Sequence, residues 1–154
     1  MTRLLLFLLL VAPGFLLPAC KPGGTPAGES GSSSDTTALE AQVMDLHDKA
    51  MPRLNEINHL TAQLQRIKAS IPEDANGKIV LPDGFERIND ALKLADQGMW
   101  DWMKQYNDGK AEVKPDNLVA FYQDQLLKVA KVNNDIEQAI TGAQSWIKDN
   151  APAQ

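Results

Sequence analysis

The architecture of this chain follows from residues 37–71, TALEAQVMDLHDKAMPRLNEINHLTAQLQRIKASI. Apolar side chains recur in this stretch at steps of three and four residues, which predicts one long amphipathic helix. Thr37 followed by Glu40 is a capping-box pattern, so we place the start of the helix near Thr37. The apolar positions are Leu39, Val43, Leu46, Ala50, Leu54, Ile57, Leu60, Leu64, Ile67 and Ile71.

Pro52 lies inside this predicted helix. A proline removes one backbone hydrogen bond and clashes with the carbonyl four residues earlier. The sequence therefore predicts either a kink between Asp48 and Pro52 or two separate helices. The apolar stripe continues on both sides of the proline, which favours one bent helix that ends before Pro72.

Two further stripes follow a loop at residues 72–83, in which the apolar residues 79–81 are expected to pack against the helices. The second helix starts with Asp83 and Glu86, another capping pattern, and Gly109 is placed to end it. Its stripe is Phe85, Ile88, Leu92, Ala95, Met99, Trp102, Met103 and Tyr106. The third stripe is Leu118, Tyr122, Leu126, Val129, Ile136, Ala139, Ile140, Ala143 and Ile147, with Asn133 at one apolar position. We predict an all-α fold, an elongated antiparallel three-helix bundle over residues 37–150.

The N-terminus carries a targeting signal. A positive start ending at Arg3 precedes an apolar run from Leu4 to Leu17, and Ala19 precedes Cys20, the only cysteine. This order is typical of a secretory signal peptide, and the run is shorter than the roughly 20 residues of a membrane-spanning helix. The ending, residues 17–20 (LPAC), resembles the bacterial lipobox at which lipoproteins are cut and lipidated.

The lipobox resemblance implies that residues 1–19 are removed and that Cys20 becomes a lipidated N-terminus. Pro18 departs from the usual pattern, which has a small or β-branched residue there. The alternative is an ordinary secretory signal that leaves a free thiol, but a single cysteine in an exported protein has no disulfide partner. By the same resemblance, Lys21 in place of aspartate favours the outer membrane of a bacterial cell envelope.

Residues 20–36 follow as the lipidated cysteine and a flexible linker, because Gly, Pro and Ser dominate residues 21–34. The net charge of the whole chain is −5. Removing residues 1–19 takes away only the charge of Arg3, which leaves 14 basic and 20 acidic side chains, or −6. This charge excludes nucleic acid as an expected partner, since phosphate binding needs a basic surface.

The methionines raise the question of a metal or haem. Met44, His47 and Met51 lie on one side of the first predicted helix, and Met99 and Met103 lie about one turn apart on the second. Thioether and imidazole groups suit Cu(I), and Met/His pairs also serve as axial ligands of haem. The candidate ligands of copper or haem are therefore His47, Met51, Met99 and Met103. The alternative, which we favour here, is that these methionines fill gaps in the core and that no cofactor is bound.

The sequence carries none of the common enzyme motifs, such as G-x-S-x-G, H-E-x-x-H or a phosphate-binding glycine loop. Neighbours on a helix point about 100° apart, so His47 and Asp48 are not expected to form an acid–base pair. His59 has no metal-ligand spacing around it. We therefore expect no enzymatic activity.

Two short segments, HDKAMP at residues 47–52 and MWDWM at residues 99–103, resemble a pattern found in small helical bacterial lipoproteins without an assigned activity. The resemblance implies the anchor, the fold and a junction between the first two helices. Trp100 falls off the apolar stripe, which is typical of an exposed contact patch. The sequence thus predicts a membrane-anchored envelope lipoprotein that acts as a non-enzymatic binding or scaffold module for another envelope protein. The copper or haem bundle is the alternative, and a lysis or immunity lipoprotein is a third possibility.

Overall fold

The computed structural model describes residues 30–151, with side chains from residue 33 onward. It contains the helices α1 (Ser30–Ser70), α2 (Phe85–Glu112) and α3 (Leu118–Asn150), with a short 3-10 turn at Pro115–Asn117 before α3. The predicted all-α fold of three helices is confirmed. The predicted signal peptide, the lipobox and Cys20 lie outside the described residues.

The first two helices run in opposite directions. Lys110 near the end of α2 pairs with Glu40 in the first half of α1. At the other end of the bundle, Gln65 of α1 donates a hydrogen bond of 3.4 Å to Asn89 at the start of α2. The start of α1 thus meets the end of α2, and the end of α1 meets the start of α2, so the two helices are antiparallel.

The third helix runs antiparallel to α2 and parallel to α1. Trp102 Nε1 donates to Gln125 Oε1 at 3.1 Å, and Trp146 Nε1 near the end of α3 donates to the carbonyl of Asp83 just before α2, at 2.7 Å. The path along the bundle is therefore up, down and up, as expected for three helices with short connections.

The core lies along α3, which packs extensively against both other helices, whereas α1 and α2 touch each other much less. The predicted stripes supply this core: the largest fully buried side chains are Phe85, Ile57, Leu64, Leu92, Met99, Ile136, Ile140, Val43 and Val129. Asn133, the polar residue within the third stripe, donates a hydrogen bond of 3.0 Å to the carbonyl of Leu46. This bond fixes how α3 lies against α1.

Pro52 lies within α1, which continues on both sides of it and spans 41 residues. The prediction of one helix, rather than two, is confirmed. At about 1.5 Å per residue, α1 is about 60 Å long, so the bundle is elongated. No helix among residues 30–151 is long and apolar enough to cross a membrane.

The predicted start of the first helix is wrong. α1 begins at Ser30 and already includes residues 30–36, which were predicted as the end of the linker. The Thr37 hydroxyl does not cap the helix but donates to the Ser33 carbonyl one turn earlier, at 3.0 Å. Once the packed apolar stripe has nucleated the helix, each residue added at its end forms one more hydrogen bond. The composition of residues 30–36 alone does not reveal this extension.

The predicted bounds of the second helix need two corrections. Its N-cap is Gly84, with a φ of 81°, and no side chain of the predicted Asp83–Glu86 capping pair bonds to the helix end. Gly109 does not end the helix, which continues to Glu112. Both glycines instead make room for α3: an added Cβ would lie 3.3 Å from Trp146 at Gly84 and 2.8 Å from Phe121 at Gly109.

The connection between α1 and α2 is a turn rather than a strand. Asp74 Oδ1 accepts hydrogen bonds from the backbone N–H groups of Asn76 and Lys78, and Gly77 has a φ of 74°. A single antiparallel bridge joins Glu73 to Ile79. Of the three apolar residues expected to pack, Leu81 does so, whereas Val80 is largely exposed.

Candidate functional site

The candidate site is the long depression between α1 and α2, which we call the α1–α2 groove. It holds two hollows one above the other. The first, the His47 cavity, has a volume of about 180 Å³ and is lined by Met44, His47, Trp102, Met103, Tyr106 and Asn107. The second, the Trp100 cleft, has a volume of about 530 Å³ and is lined by Asp48, Met51, Pro52, Leu54, Asn55, Asn58, Asp96 and Trp100.

Helical spacing explains why the two hollows lie next to each other. Met44, His47 and Met51 follow one another at steps of three and four residues, so they share one face of α1. Trp100 and Met103 share a face of α2 for the same reason. Because the helices are antiparallel, Met51 lies opposite Trp100 near Pro52. One turn away along the groove, His47 lies opposite Met103.

His47 makes two contacts that define the His47 cavity. Its Nε2 lies 3.1 Å from the thioether sulfur of Met103 on the opposite helix. Its Nδ1 lies 2.9 Å from Oδ1 of Asp48. The prediction that His47 and Asp48 do not pair is therefore wrong: the Cα–Cβ bonds diverge around the helix, but the two side chains are long enough to turn toward each other.

A row of aromatic rings continues from His47 into the bundle. The His47 ring lies 5.8 Å from that of Trp102, which stacks on Tyr106 at 5.2 Å between centroids. Trp102 is held in place by its hydrogen bond to the buried Gln125. The Tyr106 hydroxyl is buried and has no hydrogen-bond partner among the residues that the structure describes. The wall of the His47 cavity is thus rigid and mostly apolar.

A charged cluster closes the same end of the bundle. Glu40 accepts hydrogen bonds from Lys110 and, at 2.9 Å, from the hydroxyl of Tyr122, so it joins all three helices. The hydrogen bond from Lys110, together with the one from Tyr122, lowers the pKa of Glu40. The same bond between Lys110 and Glu40 raises the pKa of Lys110. Burial, together with the bond to Glu40, raises the pKa of Tyr122 to about 12, and burial also raises the pKa of Tyr106.

The structure brings together some of the predicted ligand residues and separates others. His47 and Met103 meet, and Met44, which the sequence places on the same side of α1, lines the same cavity. Met99 is fully buried in the core. Met51 lines the Trp100 cleft instead. The sequence could not choose among these methionines, because the choice depends on the register of α1 against α2.

The distance between His47 and Met103 distinguishes haem from a single metal ion as the group that could lie between them. Haem ligation by a Met/His pair would require the whole flat ring to fit between the two side chains. A separation of 3.1 Å within a cavity of about 180 Å³ does not accommodate such a ring. Among residues 30–151, no three His, Cys, Asp or Glu side chains are grouped to hold a metal ion. A metal in the His47 cavity would therefore take imidazole and thioether ligands.

The Trp100 cleft has a different chemistry. Trp100 is 53% exposed, an unusual state for the largest apolar side chain. Met51 and Pro52 form an apolar floor beside it, while Asp48 and Asp96 are the charged residues among those lining the cleft. The cleft thus combines one large exposed aromatic ring with a negative rim.

No protein-family model, no curated protein and no solved structure matches this chain at a significant level. Function is therefore inferred from the residues and from the geometry of the α1–α2 groove.

Proposed function

We propose that this chain is a non-enzymatic binding module of a bacterial cell envelope, anchored to the membrane through a lipidated Cys20, and that it binds another envelope protein in the Trp100 cleft. The lipobox resemblance of residues 17–20 supports the anchor and the compartment. The observation that carries the binding role is the exposed ring of Trp100 beside a cleft of about 530 Å³.

The exposure of Trp100 favours a binding role because it brings little benefit to the isolated bundle. Burying a large apolar side chain fully would contribute about 1.5–3 kcal/mol relative to leaving it exposed. Tryptophan is also the residue type that most often contributes large shares of the binding energy in protein interfaces. A partner that covers Trp100 would therefore gain contact area that the fold of this chain leaves unused.

The chemistry of the cleft indicates what kind of segment binds there. An apolar side chain of the partner would pack against Trp100, Met51 and Pro52. Lysine or arginine beside it would face Asp48 and Asp96, which carry negative charge and have no basic residue next to them in the lining. The partner segment is therefore expected to be apolar and basic, and its binding to weaken as salt screens the charges.

The test is affinity capture from solubilised envelope membranes with the full-length chain. The wild type should retain a discrete partner at low salt, and Trp100→Ala should lose it, since truncation of a central tryptophan typically costs more than about 2 kcal/mol of binding. Asp96→Asn should retain less of it. A matched control is Leu127→Ala, because Leu127 is also exposed and apolar but lies on α3.

Capture that is equal for wild type, Trp100→Ala and Leu127→Ala would contradict the proposal. The proposal would also be contradicted if the amount of partner retained were the same at low and high salt, both for wild type and for Asp96→Asn.

A further inference from the structure

We propose that the His47 cavity is a binding site for a soft monovalent metal ion, Cu(I), with Nε2 of His47 and the thioether sulfurs of Met103 and Met44 as ligands. This site lies next to the Trp100 cleft, with which it shares Asp48, and it goes beyond the proposed function. It also differs from the ligand set considered from the sequence, because it replaces Met51 and Met99 with Met44.

Two hydrogen-bond acceptors face each other in the His47 cavity. The carboxylate of Asp48 can only accept, so the Nδ1 of His47 that lies 2.9 Å from it carries the ring proton. In the neutral imidazole, Nε2 then presents a lone pair. A thioether sulfur is also an acceptor, and that of Met103 lies 3.1 Å from Nε2. Two lone pairs directed at each other are repulsive, so the contact requires a cation between them, which is either a proton on Nε2 or a metal ion.

Asp48 orients the His47 ring. Histidines that ligate a metal almost always donate their other ring N–H to a carboxylate, a carbonyl or a water, which fixes the tautomer and the direction of the ligating nitrogen. Asp48 makes this contact to Nδ1. It is a positioning residue for a ligand nitrogen that points across the groove at Met103.

The distance between His47 and Met103 needs little adjustment to hold an ion. With bonds of about 2.0 Å to nitrogen and about 2.3 Å to sulfur, as found for zinc, a bent arrangement separates the two atoms by about 3.5–3.7 Å. The observed separation of 3.1 Å would therefore open by about half an ångström. Methionine has three rotatable bonds, so the Met103 side chain accommodates such a change without moving α2.

The ligand type selects the ion. Met44 lies one turn before His47 on α1 and lines the same cavity, which supplies a second sulfur. One imidazole and two thioethers form a soft, nearly neutral donor set, which suits Cu(I) and not Mg²⁺ or Ca²⁺. No carboxylate lines the cavity directly, and Trp102 and Tyr106 form its apolar wall.

The experiment is an anaerobic Cu(I) titration of the full-length chain carrying Cys20→Ser, which removes the only thiol, against a coloured competing chelator. We expect one equivalent of Cu(I) to be withdrawn from the chelator. Met103→Leu, which conserves volume and removes the sulfur, should weaken the affinity at least about tenfold, since even outer-shell partners of a metal typically contribute about 10–100-fold. Met44→Leu should also weaken it.

Met99→Leu and Met51→Leu are the matched controls, because they remove sulfurs that lie outside the His47 cavity. Both should bind Cu(I) as tightly as the parent chain. Circular dichroism of each variant establishes that it is folded, and Met44→Leu provides an independent test if Met103→Leu does not fold.

The role of Asp48 is tested separately. Asp48→Asn should weaken Cu(I) binding by about tenfold while leaving the denaturant midpoint of the metal-free chain unchanged. Asp48→Glu should restore part of the affinity. Asp45→Asn serves as the control, since Asp45 is an exposed acid on the same helix that pairs with Lys49 and does not touch His47.

Three results would overturn the proposal: no competition with the chelator, binding that Met103→Leu and Met44→Leu leave unchanged, or a loss that Met99→Leu shows equally. The first of these would mean that a proton alone bridges Nε2 and the sulfur. None of them bears on partner capture in the Trp100 cleft, so the two proposals stand or fall separately.

Discussion

The two sides of α1 differ in what they contact. The side that faces α3, which we call the seam, carries fully buried aliphatic residues such as Leu64 and Val43, together with polar contacts such as the bond from Asn133 to the Leu46 carbonyl. The side that faces α2 is the α1–α2 groove, which histidine, methionine, asparagine and an exposed tryptophan line beside Leu54. The same helix thus provides one face that holds the fold together and another that is available for binding.

The contrast between the two sides of α1 explains why polar and exposed side chains in the groove do not prevent folding. Because α3 packs against both other helices, the bundle does not depend on close packing between α1 and α2. The groove can therefore carry polar and exposed side chains without loss of the core. Substitutions in the seam should change the free energy of unfolding, and substitutions in the groove should mainly change binding.

The largest effect on stability is expected at the seam. Leu64→Ala should lower the free energy of unfolding by about 2–5 kcal/mol, since it leaves a cavity at a position with no solvent exposure. Trp100→Ala in the groove should cost about 1 kcal/mol or less, because the ring is half exposed and such substitutions are usually mild. Urea unfolding of both variants measures the difference, and equal losses would contradict the division of α1 into two faces.

A smaller effect is expected from two glycines of α2. Nothing lies within 4 Å of a Cβ added at Gly98, so Gly98→Ala should raise the free energy of unfolding by about 0.5–1 kcal/mol through helix propensity. The same change at Gly109 would place Cβ 2.8 Å from the ring of Phe121. Gly109→Ala should therefore fall short of that gain by about 1–3 kcal/mol. Thermal or urea unfolding of the pair measures this difference, and equal gains would show that the contact with α3 is not tight.

The smallest effect is expected from the charged cluster at the end of the groove. Because the pKa of Glu40 is lowered in the folded chain, its contribution to stability is present above the ordinary value of 4.5 and is lost as the pH falls through the folded pKa. Glu40→Gln should be less stable than wild type at pH 7, and the two should converge in acid. The effect is small because Glu40 and Lys110 are partly exposed.

Urea midpoints measured from pH 7 down to pH 3 provide this comparison. Tyr122→Phe, which removes only one of the hydrogen bonds to Glu40, should give an intermediate profile. If the urea midpoints of wild type and Glu40→Gln changed in parallel with pH, the claim that ionised Glu40 stabilises the fold would be contradicted.

The seam could be predicted from sequence because it depends on one rule. Apolar residues at helical spacing, such as Val43, Ala50 and Leu64, are buried as predicted. Single-residue signals failed where the helix extended past them, as at Thr37, or where a contact with α3 overrode them, as at Asp83 and Gly109. Thr37 and Asp83 resemble caps but serve no cap, and Gly109 resembles a helix end but accommodates Phe121. Such contacts involve residues from another helix, which a local pattern does not contain.

The groove could be predicted only in part. The sequence placed Trp100 off the apolar stripe and named His47 and Met103 among the candidate ligands of a metal. It did not reveal which methionine meets which residue, because that depends on the register between antiparallel helices. It also gave no indication of the cluster formed by Glu40, Lys110 and Tyr122, whose members are far apart in the chain and unremarkable by themselves.

The claim that the α1–α2 groove is the binding face is tested most directly by site-specific photo-crosslinking of the full-length chain in its native cells. A photoreactive amino acid at position 55 would lie in the Trp100 cleft, and one at position 127 would lie on the exposed side of α3. We predict a discrete protein adduct from position 55 that disappears when Trp100→Ala is added, and no such adduct from position 127. Adducts of equal yield from both positions, or an adduct from position 55 that survives Trp100→Ala, would contradict the claim.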